Sequence, residues 1–164
     1  MPTSHPESRK WAAQQFVSVA PKTVLDVGVG EGTYSRLLRS DEHWTGIEAW
    51  WPYVTQYRLE TLYDRLIVDD FRNVSLAADL AIVGDCLEHV SHDEGEAYIR
   101  RLMGEVDAIM LILPLGEYPQ GEVDGNPFQA HRATWFDAEV RALFGEGLRA
   151  GFVGKVVGGY LWRR

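Results

Sequence analysis

Apolar runs of strand length alternate with helical patterns along most of the chain. Residues 23–28 (TVLDVG) are β-branched at their start and stop at glycine, so they read as a short buried strand. Runs of the same kind return at 43–49 (HWTGIEA), 65–70 (RLIVDD), 79–85 (DLAIVGD) and 107–115 (DAIMLILPL). The last is apolar almost throughout, as expected of a strand covered on both faces. Helical patterns fall between them at 32–40, 52–63 and 92–106, with Pro52 suited to a first turn. The helix at 92–106 carries Ala97, Ile99, Leu102 and Met103, whose spacing is imperfect. A leading helix is predicted at 7–19, with Trp11, Gln15 and Phe16 near one face, and another at 134–144 with Thr134 as its N-cap. Residues 148–164 read as two strands turning at Gly158–Gly159.

Five strand–helix units and a terminal hairpin predict an α/β fold: a three-layer sandwich around a mainly parallel seven-stranded sheet, closed by a C-terminal antiparallel hairpin. The chain reads as one domain over 1–164, with the N-terminal helix inside 1–20 and a long loop at 114–135. Ligands in such sheets sit beyond the carboxyl ends of the strands, where the strand order switches. Candidate chemistry is therefore sought just after each strand.

Bulk composition narrows the function classes. Of 164 residues, 46% are hydrophobic and 24% charged, ordinary values for a globular protein. Sixteen basic against 24 acidic residues give a net charge of −8, which disfavours nucleic acid as a partner. The single cysteine, Cys86, has no intramolecular disulfide partner and fits a reducing compartment. No apolar run approaches the ~18 residues that span a bilayer. The first ten residues lack a signal peptide's apolar stretch, so a cytoplasmic location without a membrane partner is expected.

After the first strand comes Asp26-Val27-Gly28-Val29-Gly30-Glu31-Gly32. Glycines there let a ligand approach the main chain closely. A dinucleotide-binding turn would place its third small residue at position 33, which is Thr33. The D-x-G-x-G-x-G pattern instead resembles motif I of class I S-adenosylmethionine-dependent methyltransferases. Other strand ends agree with that resemblance. Glu48, followed by Ala49, ends the second strand, where a carboxylate can accept bonds from two ribose hydroxyls. The third ends in Asp69-Asp70-Phe71; the resemblance implies that Asp70 receives the adenine amino group and Phe71 packs on the ring, with Asp69 the rival acceptor. The fourth leads into Asp85-Cys86-Leu87-Glu88-His89, similar to the D-x-L-E-H run of the small-molecule branch, bordering the methionine moiety and the acceptor.

The resemblance thus implies a Rossmann-like fold, S-adenosylmethionine as cofactor, and methyl transfer to an acceptor expected to be a small molecule. The cofactor set is Asp26, Gly28, Gly30, Gly32, Glu48, Ala49, Asp70, Phe71 and Asp85, with Asp26 orienting either the loop or the cofactor's amino group. Residues 113–135 hold three glycines, three prolines, Tyr118, Phe128, His131 and Trp135, and read as a wall or lid over the acceptor. Their pattern also resembles bacterial and phage methyltransferase-like proteins. His131, then His89, are the candidate general bases. Asn126-Pro127-Phe128 is similar to an amino-methyltransferase motif, but it follows the fifth strand rather than the fourth and lacks a second proline. No metal site is predicted: His89 and His92 have acidic neighbours, which a polar helix start explains equally well. Two readings of a different class stay open. One is a non-catalytic regulator or partner subunit that binds S-adenosylmethionine or S-adenosylhomocysteine; the other, disfavoured by Thr33, is an NAD-dependent oxidoreductase. The chain is expected to be a monomer or a homodimer.

Overall fold

The structure, a computed structural model, describes residues 5–164, and a single seven-stranded sheet runs through them. Its strands are β1 (Thr23–Val27), β2 (His43–Ile47), β3 (Arg65–Ile67), β4 (Ala78–Gly84), β5 (Val106–Pro114), β6 (Leu148–Val153) and β7 (Val157–Arg163). They lie in the order β3-β2-β1-β4-β5-β7-β6. The first five are parallel, and β7 runs antiparallel to both β5 and β6. The chain steps outward from β1 to β3 and then returns to place β4 against the other side of β1. That reversal opens a crevice at the carboxyl ends of β1 and β4.

Helices cover both faces. Buried residues of α1 (Arg9–Val19), α2 (Thr33–Leu38) and α3 (Trp51–Tyr57), including Phe16, Tyr34 and Tyr53, form one apolar cluster. Buried residues of α4 (His92–Glu105) and α5 (Asp137–Phe144), including Tyr98, Ile99, Leu102 and Val140, form the other. Strand β5 shows why its sequence is apolar at every position from Ala108 onward: Ala108, Met110 and Ile112 enter the first cluster, Ile109, Leu111 and Leu113 the second. Each of the Ile, Leu and Met side chains contributes about 1.5–3 kcal/mol on burial. The start of α4 is set by a capping box, in which Ser91 and Glu94 exchange side-chain and backbone hydrogen bonds.

Four local expectations are corrected. The hairpin turns at 154–156, and Gly158 and Gly159 lie inside β7. The turn is held from a distance: the Glu7 carboxylate accepts the backbone N–H groups of Lys155, Val156 and Val157 at 3.1, 2.8 and 2.7 Å. The two glycines serve close approach, since a Cβ on Gly159 would meet the Trp11 ring at 2.7 Å. The helix expected over 52–63 stops at Tyr57, because Arg58 turns left-handed (φ 55°) and a short 3-10 turn follows. The third strand is only Arg65–Ile67. The last helix starts at Asp137 with Phe136, not Thr134, as N-cap; Glu139 accepts the Phe136 N–H at 2.9 Å. Of the segment 1–20, residues 1–4 lie outside the described residues, and a helix occupies Arg9–Val19.

Candidate functional site

A cleft of about 370 Å³ opens at the carboxyl ends of β1, β2 and β4, within the size range of small-molecule sites. One wall is the loop after β1. The N–H groups of Gly28 and Val29 both donate to the Ile47 carbonyl at the end of β2, at 2.9 and 3.1 Å, which folds the loop across the strand ends. Gly28 sits at φ +66°, and a Cβ there would lie 2.7 Å from the Cys86 sulfur. Only glycine satisfies both the dihedral and the contact. Gly28, Gly30, Glu48, Ala49, Asp70, Phe71 and Asp85 all border the cleft.

Two residues of the expected set do not. Gly32 caps α2 at φ +78°, and its missing side chain makes room for Leu62. Asp26 is 1% exposed and faces away from the cleft, accepting the Tyr63 hydroxyl at 2.7 Å. Burial pushes its pKa up to about 7; the Tyr63 bond opposes that rise, and the Glu48 charge adds to it. Asp26 therefore braces the strand from beneath.

Glu48 is the buried carboxylate that does face the cleft. Its Oε2 accepts the Gly30 N–H at 2.9 Å, and its Oε1 accepts the Trp50 N–H at 2.8 Å. Burial raises its pKa, while these backbone bonds pull it down. An ionised carboxylate offers about four lone-pair positions, so these two bonds leave capacity on both oxygens. The glycine loop and the acid are thus one unit: the carboxylate fixes the loop and still presents acceptors.

Beyond β3, Asp70 caps a 3-10 turn through the Arg72 N–H and also pairs with the Arg72 guanidinium, at 2.9 Å to Nε and 2.5 Å to Nη2. Those bonds hold its carboxyl below the usual range. Asp69 commits Oδ1 to the Asp70 N–H and to the Asn73 amide. Phe71 packs its buried ring edge-on against Tyr98, with centroids 4.6 Å apart.

The far end of the cleft is built from the turn after β4 and the loop between β5 and α5. Asp85 adopts a left-handed conformation (φ 49°), its N–H donating to the Ile112 carbonyl at 2.8 Å. This sharp reversal sends Leu87–His89 into a 3-10 turn against the cleft. Glu88 is 3% exposed; burial, and secondly the Asp85 charge, push its pKa well up. The loop is closed at its root, where the Gly116 N–H donates to the Trp135 carbonyl at 2.8 Å. It is then pinned to the β4 turn, because Arg132 and Ala133 N–H groups both donate to the Glu88 carbonyl, at 2.7 and 3.1 Å. His131 is thereby carried to His89, with ring centroids 5.0 Å apart. The Nδ1 of His131 faces the Tyr118 carbonyl at 2.5 Å, and the Nδ1 of His89 faces that of Ala130 at 3.4 Å. Burial, and then His131, lower the His89 pKa to about 4, and burial lowers that of His131. Both rings are neutral at neutral pH.

The structure separates the pair His89/His92. His92 stacks on Trp135 at 4.1 Å and lies 3.8 Å from Glu139. Trp135 itself is buried, so its role is to pack the loop root. The residue that sequence reasoning left without a role is Glu88; it stood in the D-x-L-E-H run, but only the fold brings it to His131.

No family model and no curated protein sequence matches the chain. Solved structures do. The N-terminal domain of EvdMO1, solved in the presence of S-adenosylhomocysteine and D-fucose, superposes with a TM-score of 0.69 at 15% identity, over 98% of this chain and 84% of that one. Magnesium protoporphyrin IX methyltransferase from Synechocystis PCC 6803 with bound S-adenosylmethionine gives 0.70 at 17% identity, over 96% and 78%. The 1,6-didemethyltoxoflavin-N1-methyltransferase of Burkholderia thailandensis gives 0.68 at 17% identity, with the same two coverages, 96% and 78%. The chain has the fold of class I S-adenosylmethionine-dependent methyltransferases.

Proposed function

We propose that the protein binds S-adenosylmethionine in this cleft and transfers its methyl group to a small molecule. The observation that carries the proposal is Glu48: a buried carboxylate with spare acceptor capacity, tied to a glycine loop at the switch point of the sheet. Gly28 and Gly30 would face the methionine end with bare main chain, and Glu48 would take the ribose hydroxyls with Ala49 beside it. The segment Asp69–Phe71 would frame the adenine, where Asp69 Oδ2 complements the Arg72-bound Asp70. When bound, the cofactor supplies an electrophilic methyl carbon.

The chain's own residues do the rest. The loop from 115 to 136 would wall one side of the acceptor space with Tyr118 and Phe128. The proton on Nδ1 of His131 is held by the Tyr118 carbonyl, which leaves Nε2 as a lone-pair nitrogen facing the acceptor space. His131 first, and His89 second, are positioned to take a proton from an acceptor hydroxyl or amine. Solved neighbours named for small acceptors, among them 1,6-didemethyltoxoflavin, support the small-molecule class. The described residues contain no helix long and apolar enough to cross a membrane.

Calorimetry with S-adenosylhomocysteine tests the reading. The wild-type chain should bind at micromolar levels, and Glu48→Ala should weaken binding by about 1.5–3 kcal/mol, tenfold to over a hundredfold. No binding by the wild type, or an unchanged affinity in the variant, would sink it. Binding without turnover that forms S-adenosylhomocysteine, across a panel of small hydroxyl and amine acceptors, would favour a regulatory role.

A further inference from the structure

The acceptor end of the cleft holds more ligating capacity than proton transfer by one imidazole requires. Glu88 borders the cleft and is 3% exposed, and its Oε2 makes no hydrogen bond. A buried carboxylate oxygen without a partner is costly unless something arrives to satisfy it. His89 follows it on the same 3-10 turn, and His131 reaches it from the loop. One ligand atom from each of the three lies within 4.8 Å of the others. The convergence is built into the backbone. Arg132 and Ala133 clamp the loop onto the Glu88 carbonyl, and the His131 N–H donates to the Gln120 carbonyl at 2.9 Å. Carbonyls also orient both rings through Nδ1, the arrangement by which metal-binding histidines are held with Nε2 free.

We propose that Glu88, His89 and His131 form a binding site for a divalent first-row transition ion, which holds the acceptor's oxygen at the reacting end of the cleft. Two imidazoles and one carboxylate suit zinc, manganese or iron(II) better than calcium or magnesium, which prefer all-oxygen sets. Bond lengths near 2.0–2.2 Å would set the three ligand atoms about 3.3 Å apart in a tetrahedral site. Closing from 4.8 Å needs a shift of about 1.5 Å, within reach of side-chain rotation at the three residues. Three protein ligands leave coordination positions open for an acceptor hydroxyl, whose proton the ion makes easier to lose. With the ion bound, both imidazole lone pairs are taken as ligands, so this proton leaves to solvent, and the base role given to His131 and His89 above belongs to the metal-free site. The freed oxygen pair then bonds to the methyl carbon as the carbon–sulfur bond breaks, its electrons remaining on sulfur. The chemistry rests on the methyl-transfer reading; the binding of the ion does not.

The test uses the full chain, stripped with a chelator and titrated with zinc or manganese alone by calorimetry, and with cobalt(II) by visible absorption. One equivalent should bind, with cobalt d–d bands of a nitrogen–oxygen site. His131→Ala and His89→Ala should each lower the affinity at least tenfold, and S-adenosylhomocysteine affinity should stay within about twofold. Glu88 is buried, so Glu88→Gln risks misfolding. His131→Ala on the loop carries the decision, with an unchanged metal-free thermal midpoint as the folding control. Absence of stoichiometric binding, or His131→Ala with full affinity, overturns the site. S-adenosylhomocysteine binding without metal binding also overturns it and leaves the methyl-transfer reading standing. Metal binding that depends on His131, without S-adenosylhomocysteine binding, upholds the site and defeats that reading.

Discussion

The two halves of the cleft are made in different ways. The half formed by β1 and β2 is main chain: a glycine loop bonded to the Ile47 carbonyl and to the Glu48 carboxylate, all within residues 26–50. The half beyond β4 is side chains, brought together from residues 85–89 and 116–135 by loop backbone that has little regular structure. The first presents a fixed, nearly featureless surface suited to a ligand that is always the same. The second presents imidazoles, acids and aromatics on a segment whose contents can change without disturbing the sheet. On the function proposed above, the difference teaches which half would hold the cofactor and which would select the acceptor.

Breaking the root of the variable half should have the largest effect. Trp135 is buried at 1% exposure beneath the loop, and a Cβ on Gly95 would meet its ring at 2.8 Å. Trp135→Ala should cost about 3–5 kcal/mol of stability in urea titrations, with the loop becoming open to proteolysis before the sheet does.

The constant half has a buried brace whose effect follows pH. Asp26 titrates at about 7 in the folded protein against 3.8 as its ordinary value. A raised carboxyl pKa means the folded state holds a proton that the unfolded chain has released. Stability from this group is therefore fully present below about pH 4 and is lost as pH rises through 7. Asp26→Asn should flatten that part of the stability–pH curve, read by denaturant midpoints from pH 4 to 8. An unchanged slope would remove Asp26 from the account.

Smaller effects separate the halves by ligand. Glu48→Ala should weaken S-adenosylhomocysteine tenfold to over a hundredfold, as stated above, and should leave any acceptor-side metal affinity unchanged. Smallest of all, Phe128→Ala removes a 42% exposed ring of the loop, whose centroid is 6.3 Å from that of Trp50. It should alter S-adenosylhomocysteine affinity by less than about twofold while shifting acceptor preference. An equal loss for both ligands would collapse the distinction.

The same contrast explains what could be read from the chain. That Gly28, Gly30 and Glu48 line the cleft was legible, because their placement depends on neighbours a few residues away and on strand ends that hydrophobic patterning locates. Asp26 and Gly32 belonged to the same motif, yet the structure turns both from the cleft, toward Tyr63 and Leu62. A motif marks a conformation, and not each of its members lines the cleft. The convergence of Glu88 with His131 was not legible, because it depends on Arg132 and Ala133 donating to one carbonyl more than forty positions earlier. The hairpin turn misled for a similar reason: Glu7, near the other end of the chain, holds it at 154–156. Local patterns carry local structure, and contacts across the whole chain decide the remainder.

One measurement bears on the central claim most directly: a crystal structure of the chain with S-adenosylhomocysteine. The account predicts the ribose hydroxyls on the Glu48 carboxylate, the methionine end along Gly28 and Gly30, and the sulfur facing the space enclosed by Glu88, His89 and His131. A ligand lying elsewhere, or one in the cleft with its ribose away from Glu48, would contradict it.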